Sequence, residues 1–399
     1  MKILYHHRTA SKDGQAVHIE EMIAALRAQG HEVRVVSPMV APAVSHAGQM
    51  GENVGWVHRL RSALPSALYE LFELGYSLVA YRRLVQAAKA FQPDVIYERY
   101  NLYLLAGVLL KRRLRIPLLL EVNAPLVFER SQHSGGLALP RLARWAEGLV
   151  WRSADMVLPV TQVLASHVSA YDVPDARIRV IPNGINRAHF AVAPAPTFAK
   201  AQRGLSGKLV LGFTGFVREW HGVDRVIRWM ATSAAPSNVH LAIVGDGPVR
   251  HDLETLAQQL GLSDRVTFTG VIHRDQVPDW VAAFDVALQP AVVPYASPLK
   301  LMEYLVLGKA IIAPRTPNLL EVLTDGENAL LFDADESTGF EQALSRLCTD
   351  DALREKLSSG ACATIKTLDL TWDGNARRVV GLAASLISQA SATRLQRGA

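Results

Sequence analysis

Short apolar runs of three to six residues alternate with helix-spaced segments along this chain, and the alternation is made twice. The first pass has strands at Ile3–Tyr5, Val33–Val36, Asp94–Tyr97, Leu118–Val122 and Met156–Val160. Between the first two, Ile19, Met22, Ile23 and Leu26 recur at helical spacing, and Gly30 stands where a helix-ending glycine belongs. A stretch rich in Ala, Pro, Gly and Ser then interrupts the pattern over about 190–208. The second pass has strands at Leu209–Phe213, Val239–Val244, Val266–Thr269, Val286–Leu288, Ala310–Ala313 and Ala329–Phe332. Helices are expected at Val223–Met230, Val249–Leu260, near Asp275–Phe284, at Leu299–Leu307 and twice over about 337–359. Alternation of this kind predicts an α/β fold of two doubly wound halves, each a parallel sheet covered on both faces. Ligands of such sheets lie beyond the carboxyl ends of the strands, so the cleft between the halves is the expected site.

Composition narrows the function classes. Of 399 residues, 49% are hydrophobic and 20% charged, which excludes global disorder. Cys348 and Cys362 are the only cysteines and neither has a CxxC partner, so a disulfide scaffold and a structural zinc site are both excluded and a reducing compartment fits. The opening MKILYHHR is too short for a secretory core and reads as a strand. The longest apolar run, Leu102–Leu110 around Gly107, falls well short of the ~20 residues that span a bilayer. Residues 1–190 hold 22 Lys and Arg against 15 Asp and Glu, a net of +7, whereas residues 191–399 carry a net of −2. A basic first half points to an anionic partner or to an ordinary solvated surface. Zinc-finger spacing and RNP-type aromatic runs are absent, so nucleic acid is not the expected partner.

The loops after the strands carry the chemistry. The loop His6–Gln15 has Gly14 alone, not the three glycines of a dinucleotide fingerprint, which disfavours a nicotinamide dehydrogenase. Gly14 before a helix lets a phosphate or sugar approach, or is a simple loop glycine. GFTGFVREWHGVD places Gly215, Arg218 and His221 ahead of a helix, a setting that suits a diphosphate. Gly245 and Asp246 of GDGP admit a base or ribose, or form a tight turn. In SPLKLMEY, Ser297 is the expected N-cap and Pro298 belongs to the first helical turn. Lys300 faces the positive end of the helix dipole, which suggests an anion between them. Glu303, in an otherwise apolar run, needs a partner: a ribose diol, a backbone group or Lys300. No metal-ligand constellation, HExxH or GxSxG motif appears, and no cofactor is expected.

RAQGHEV, RIRVIPNGIN, GFVREWHGVD, VGDGP, RVTFTGVI, SPLKLMEYLVLGKAIIAP and LLEVLTDGENALLF, in this order, resemble the family-4 retaining glycosyltransferases, in a subgroup with SPLK and WHG segments. The resemblance spans nearly the whole chain. It implies the GT-B fold, two Rossmann-like domains facing across a cleft. The expected division is 1–190 for the acceptor, a 191–208 linker, 209–370 for the nucleotide sugar, and a 371–390 helix, near Trp372, crossing back to the first domain. It further implies that Glu303 meets the ribose, that the backbone around Ser297, Leu299 and Lys300 meets the diphosphate, and that Val271, Ile272, Gly245 and Asp246 border the base. Lys300, Glu303 and Arg218 are the expected catalytic group; Gly14, Gly215 and His221 join the donor contacts; His18, Glu121 and Asn123 touch sugar or acceptor. The resemblance also implies a nucleoside-diphosphate sugar as substrate and a glycan or lipid-linked molecule as acceptor, for a cytoplasmic protein of cell-surface or exopolysaccharide assembly, with the inner face of an anionic membrane an expected surface.

Four positions depart from the family's pattern. Tyr295 stands where the first of two paired glutamates is usual, Phe216 and His221 replace an Arg and Lys phosphate clamp, and Asn123 replaces a histidine. The competing readings are a non-catalytic nucleotide-sugar-binding subunit and a nucleotide-sugar epimerase.

Overall fold

The computed structural model describes residues 1–9, 14–38, 64–133, 136–336 and 338–398. Each pass of the alternation makes one parallel sheet. The first contains β1 (Lys2–His6), β2 (Glu32–Val36), β3 (Val95–Arg99), β4 (Leu118–Val122) and β5 (Met156–Pro159), in the order β2-β1-β3-β4-β5. The second contains β6 (Leu209–Thr214), β7 (Val239–Val244), β8 (Val266–Phe268), β9 (Val286–Leu288), β10 (Ala310–Pro314) and β11 (Leu330–Phe332), in the order β11-β10-β9-β6-β7-β8. The central strands β3, β4, β6 and β7 are buried along their whole length, so none has an alternating polar face, and the charges of β3 and β4 (Glu98, Arg99 and Glu121) sit at their carboxyl ends. In both sheets the chain reverses its winding beside the first strand, between β1 and β3 and between β6 and β9, which opens a crevice at those strand ends.

On one face of the first sheet lie the helices Ser66–Phe91, Ala106–Leu114, Pro140–Ser153 and Gln162–Ser169. On the other lie Gly14–Ala28 and the final helix Trp372–Gly398, whose Trp372, Ala376, Val379 and Ala383 pack with Ile3, Tyr5, Ile19, Met22 and Leu119. The last residues of the chain therefore complete the core of its first domain. This return is stitched to the segment Pro182–Ile185: Ile185 N–H donates to Leu370 O at 3.1 Å, and the buried Asn375 Nδ2 donates to Pro182 O at 2.6 Å. Gly184 permits the crossing, because a Cβ there would lie 2.7 Å from both Thr371 C and Trp372 N.

Several expected elements differ in extent. Asp94 precedes β3, and its carboxylate accepts the Lys2 N–H at 2.7 Å across to β1. The 191–208 stretch contains a six-residue helix, Pro196–Ala201, too short to display a period, with Pro in its first turn. The helix near Asp275–Phe284 is a 3₁₀ turn, Arg274–Gln276, followed by Val277–Ala282. No apolar period announces the 26-residue helix Ser66–Phe91, because its first half turns glutamates inward. Gly184→Ala should destabilise the protein by roughly 2 kcal/mol or more through backbone overpacking, read as a lowered urea midpoint with an unchanged slope. A midpoint equal to the wild type would mean that the two crossing segments are not in contact.

Candidate active site

The second domain offers one tightly built corner. The helix Leu299–Val306 begins beside the carboxyl end of β6, and Lys300, Glu303 and Tyr304 project onto that strand end. Thr214 N–H donates to Tyr304 Oη at 2.9 Å, and Thr214 Oγ1 donates to Glu303 Oε2 at 3.0 Å. Burial raises the Glu303 pKa above the usual carboxylate value, while Thr214 and Lys300 pull it back. Lys300 Nζ is buried without a hydrogen-bond partner and lies 3.6 Å from the centre of the Phe213 ring. Burial lowers its pKa to about 7, opposed by the charge of Glu303. A buried amine with only an aromatic face and a nearby carboxyl group is poised to take an anion. Gly215, with φ of 108°, has no side chain to shield it: a Cβ there would lie 3.5 Å from Lys300 Cε.

The amino ends of two helices meet at this corner. A Cβ on Gly14, at the start of the first-domain helix Gly14–Ala28, would stand 3.2 Å from Leu299 Cδ1. Leu299 itself packs against the first-domain core. Both helix dipoles thus bring their positive ends to the cleft.

Some expected residues do something else. Ser297 is not the N-cap: Pro298 takes that position with no side-chain cap, and Ser297 Oγ instead accepts the Asn183 N–H at 3.2 Å, while Asn183 Nδ2 donates to Ser297 O at 2.5 Å. His221 is not a cation. It is buried against Trp220 and Phe213, its Nδ1 accepts the Arg218 N–H at 3.0 Å, and burial together with Lys300 and Arg218 lowers its pKa to about 2. Arg218 is exposed and stacks 4.9 Å over Phe216. Gly245 and Gly247 admit the chain's own backbone, since added Cβ atoms would lie 2.1 Å from Gly215 O and 1.9 Å from Val217 O. This contact, with Val217 N–H donating to Asp246 O at 2.8 Å, locks the two strand-end loops together. Gly245 also bridges Gly270, which leads directly into Val271 and Ile272 at the rim.

In the first domain, Glu121 at the end of β4 is buried and surrounded. Its Oε2 accepts from Tyr97 Oη at 2.7 Å and lies 3.0 Å from His18 Nε2, and its Oε1 accepts from Asn123 Nδ2 at 2.6 Å and from Arg99. Burial opposes its charge, but His18 and Arg99 hold its pKa well below the usual carboxylate range. Glu121 therefore positions His18 and Asn123 and is itself withdrawn from the surface. His18 also packs edge-on to Trp372, 4.7 Å away. His6 Nδ1 and Glu98 Oε2 form a further pair, 2.5 Å apart, at the ends of β1 and β3. Tyr295 is turned into the first domain, where it is buried; its hydroxyl donates to Glu129 at 3.0 Å and Thr161 Oγ1 donates to its carbonyl at 3.0 Å. The sequence reading missed Thr214, Tyr304 and Asn183. The hydroxyl in GFTGF and the Asn of IPNGIN were the available signals. Among the described residues, no group of three or more His, Cys, Asp or Glu is placed to hold a metal.

The Glycosyl transferase 4-like domain family matches residues 13–184, and the Glycosyl transferases group 1 family matches residues 197–363. The chain belongs to the glycosyltransferases. Its two facing domains are the GT-B arrangement. This glycosyltransferase is 27% identical over 400 residues to a D-inositol 3-phosphate glycosyltransferase of Nocardioides sp., covering 93% of this chain and 85% of that protein. It is 33% identical over 205 residues to the lipopolysaccharide core biosynthesis glycosyltransferase LpsD of Rhizobium meliloti, covering 49% of this chain and 57% of the other. Among solved structures, Anabaena HepE in complex with UDP superposes with a TM-score of 0.72 at 18% identity, covering 96% of this chain and 100% of that one.

In the glycosyltransferase, the Lys300 amine destabilises the fold where it is charged. Its folded pKa, about 7, lies below its ordinary value, so the unfolded chain binds the extra proton and stability rises with pH through that interval. Lys300→Met should therefore stabilise the protein by about 1–3 kcal/mol below pH 7, with the gain shrinking towards pH 10, as measured by urea unfolding across pH. A Met variant less stable than wild type at pH 6 would show that the amine is satisfied.

Proposed function

We propose that this glycosyltransferase moves a sugar from a nucleoside diphosphate to an acceptor hydroxyl, with retention at the anomeric carbon and without a metal ion. It is read as one of the subgroup with SPLK and WHG segments. The observation that carries the reading is Lys300: a buried, unpartnered amine beside Gly215, where two helix amino ends converge. Diphosphate at that corner is held by the lysine and the two dipoles, and Glu303 accepts from the ribose hydroxyls. Val271, Ile272 and the Gly245–Asp246 turn border the base. Arg218 leaves its Phe216 stack to join the diphosphate, since His221 is neutral. Anabaena HepE was solved with UDP and with UDP-glucose, which makes uridine nucleotides the first probes.

In the transfer, the bond from the anomeric carbon to the phosphate oxygen breaks and a bond to the acceptor oxygen forms on the same face. The acceptor proton passes to the departing phosphate oxygen, so no separate base is required. Negative charge grows on the diphosphate as it leaves, where Lys300 and the helix ends stabilise it. His18 and Asn123, both held by Glu121, present hydrogen-bonding groups on the acceptor side. The acceptor is read as a glycan or a lipid-linked molecule of cell-surface assembly, with the protein on the cytoplasmic side of an anionic membrane.

The buried Tyr295 favours one rival, a nucleotide-sugar-binding subunit without turnover, because the hydroxyl at that position is committed to Glu129. Release of nucleotide from UDP-sugars on incubation with protein decides between them; a complete lack of turnover with every donor that binds would favour the rival. Lys300→Ala should lower kcat by roughly 10²-fold or more, and near wild-type turnover would place the diphosphate elsewhere. Because the free amine titrates near pH 7, binding of UDP at pH 8.5 should take up about one proton, read by calorimetry in buffers of different ionisation enthalpy. Equal uptake by Lys300→Met would refute the link.

A further inference from the structure

The first half of the helix Ser66–Phe91 is inverted. Glu70, Glu73 and Ser77 face inward and are buried, while Leu68, Leu71, Phe72, Leu78 and Val79 face outward, between 41% and 61% exposed. The inward polar groups are accounted for. Glu70 accepts from Tyr103 Oη at 2.7 Å and from the Ala138 and Leu139 N–H groups at 2.7 and 3.0 Å. Glu73 binds Arg130 through both oxygens at 2.6 and 3.1 Å and lies 3.4 Å from Arg8. Nothing in the described fold accounts for the outward apolar row.

Its surroundings are cationic. The helices Ala106–Leu114 and Pro140–Ser153 lie in the same layer over the sheet. They expose Arg112, Arg113, Arg141 and Arg144, and Trp145 is 49% exposed among them. The three helices contain three acidic residues, Glu70, Glu73 and Glu147, and all three are buried. Apolar side chains ringed by arginines with no exposed carboxylate complement a surface that is both oily and negative. A second copy of this face would set arginine against arginine.

We propose that this helical layer docks on an anionic lipid bilayer, with Leu71, Phe72, Leu78 and Val79 entering the headgroup boundary and the arginines meeting lipid phosphates. Docking stands on this surface; its use, the delivery of a membrane-borne acceptor, rests on the transfer proposed above. The geometry suits that use. Glu73 ties the inner side of the same helix to Arg8, just beyond the end of β1, so the docked layer is the outer wall of the first-domain strand ends.

The test is flotation of the full chain with vesicles of equal parts phosphatidylglycerol and phosphatidylethanolamine, against pure phosphatidylcholine, at low salt. The wild type should float with the anionic vesicles alone. Leu71→Ser/Phe72→Ser and, separately, Arg141→Glu/Arg144→Glu should each lower the bound fraction about tenfold or more. UDP binding should be unchanged in both variants. A wild type that stays with no vesicle, or two variants that float as it does, overturns the proposal. So does gel filtration showing a dimer that the serine variant disperses. Flotation by a wild type that binds no nucleoside diphosphate, whatever its base, would leave the docking intact and remove the transfer reading.

Discussion

Everything at the cleft depends on two sheets being held with their strand ends face to face. That relation is fixed where Pro182–Ile185 and Leu370–Asn375 cross, backbone against backbone at Gly184 and tied by the buried Asn375 amide to Pro182 O. The crossing sends the last helix back over the first sheet, where Trp372 supports both Ile3 and His18. One consequence is that the two amino ends, at Gly14 and Leu299, arrive within van der Waals reach although 285 residues separate them in sequence.

The two halves of the site use opposite electrostatic designs. On the second-domain side, burial weakens the charges: Glu303 is raised, Lys300 is lowered and His221 is neutral. Such groups are responsive, because an arriving anion changes their protonation. On the first-domain side, Glu121 is surrounded by Arg99, His18, Tyr97 and Asn123 and keeps its charge. That group is a fixed support whose work is to aim its neighbours.

Much of this was legible in the sequence because its signals are local. The alternation of apolar runs and helical periods located the strands within a residue or two. Lys300 and Glu303 stood out as charges in an apolar helix, and the structure brings them to one corner with Gly215. What was not legible depends on distant partners. Ser297 looks like a cap until Asn183, 114 residues earlier, takes its hydroxyl. Glu121 looks like a sugar ligand until Arg99 of the neighbouring strand closes over it. His221 looks cationic until its ring is packed on Phe213. The helix at Ser66 defeated period counting because Glu70 and Glu73 find partners inside while Leu68, Leu71 and Leu78 face outward.

Tyr295 has a mechanical meaning. Its ring is seated in the first domain, yet five residues on, in the same stretch of chain, stands Lys300. The loop is a short tether from one lobe to the buried amine of the other. Any rocking of the lobes must tug on that tether, so opening the mouth of the cleft and shifting the buried Lys300 amine become a single movement.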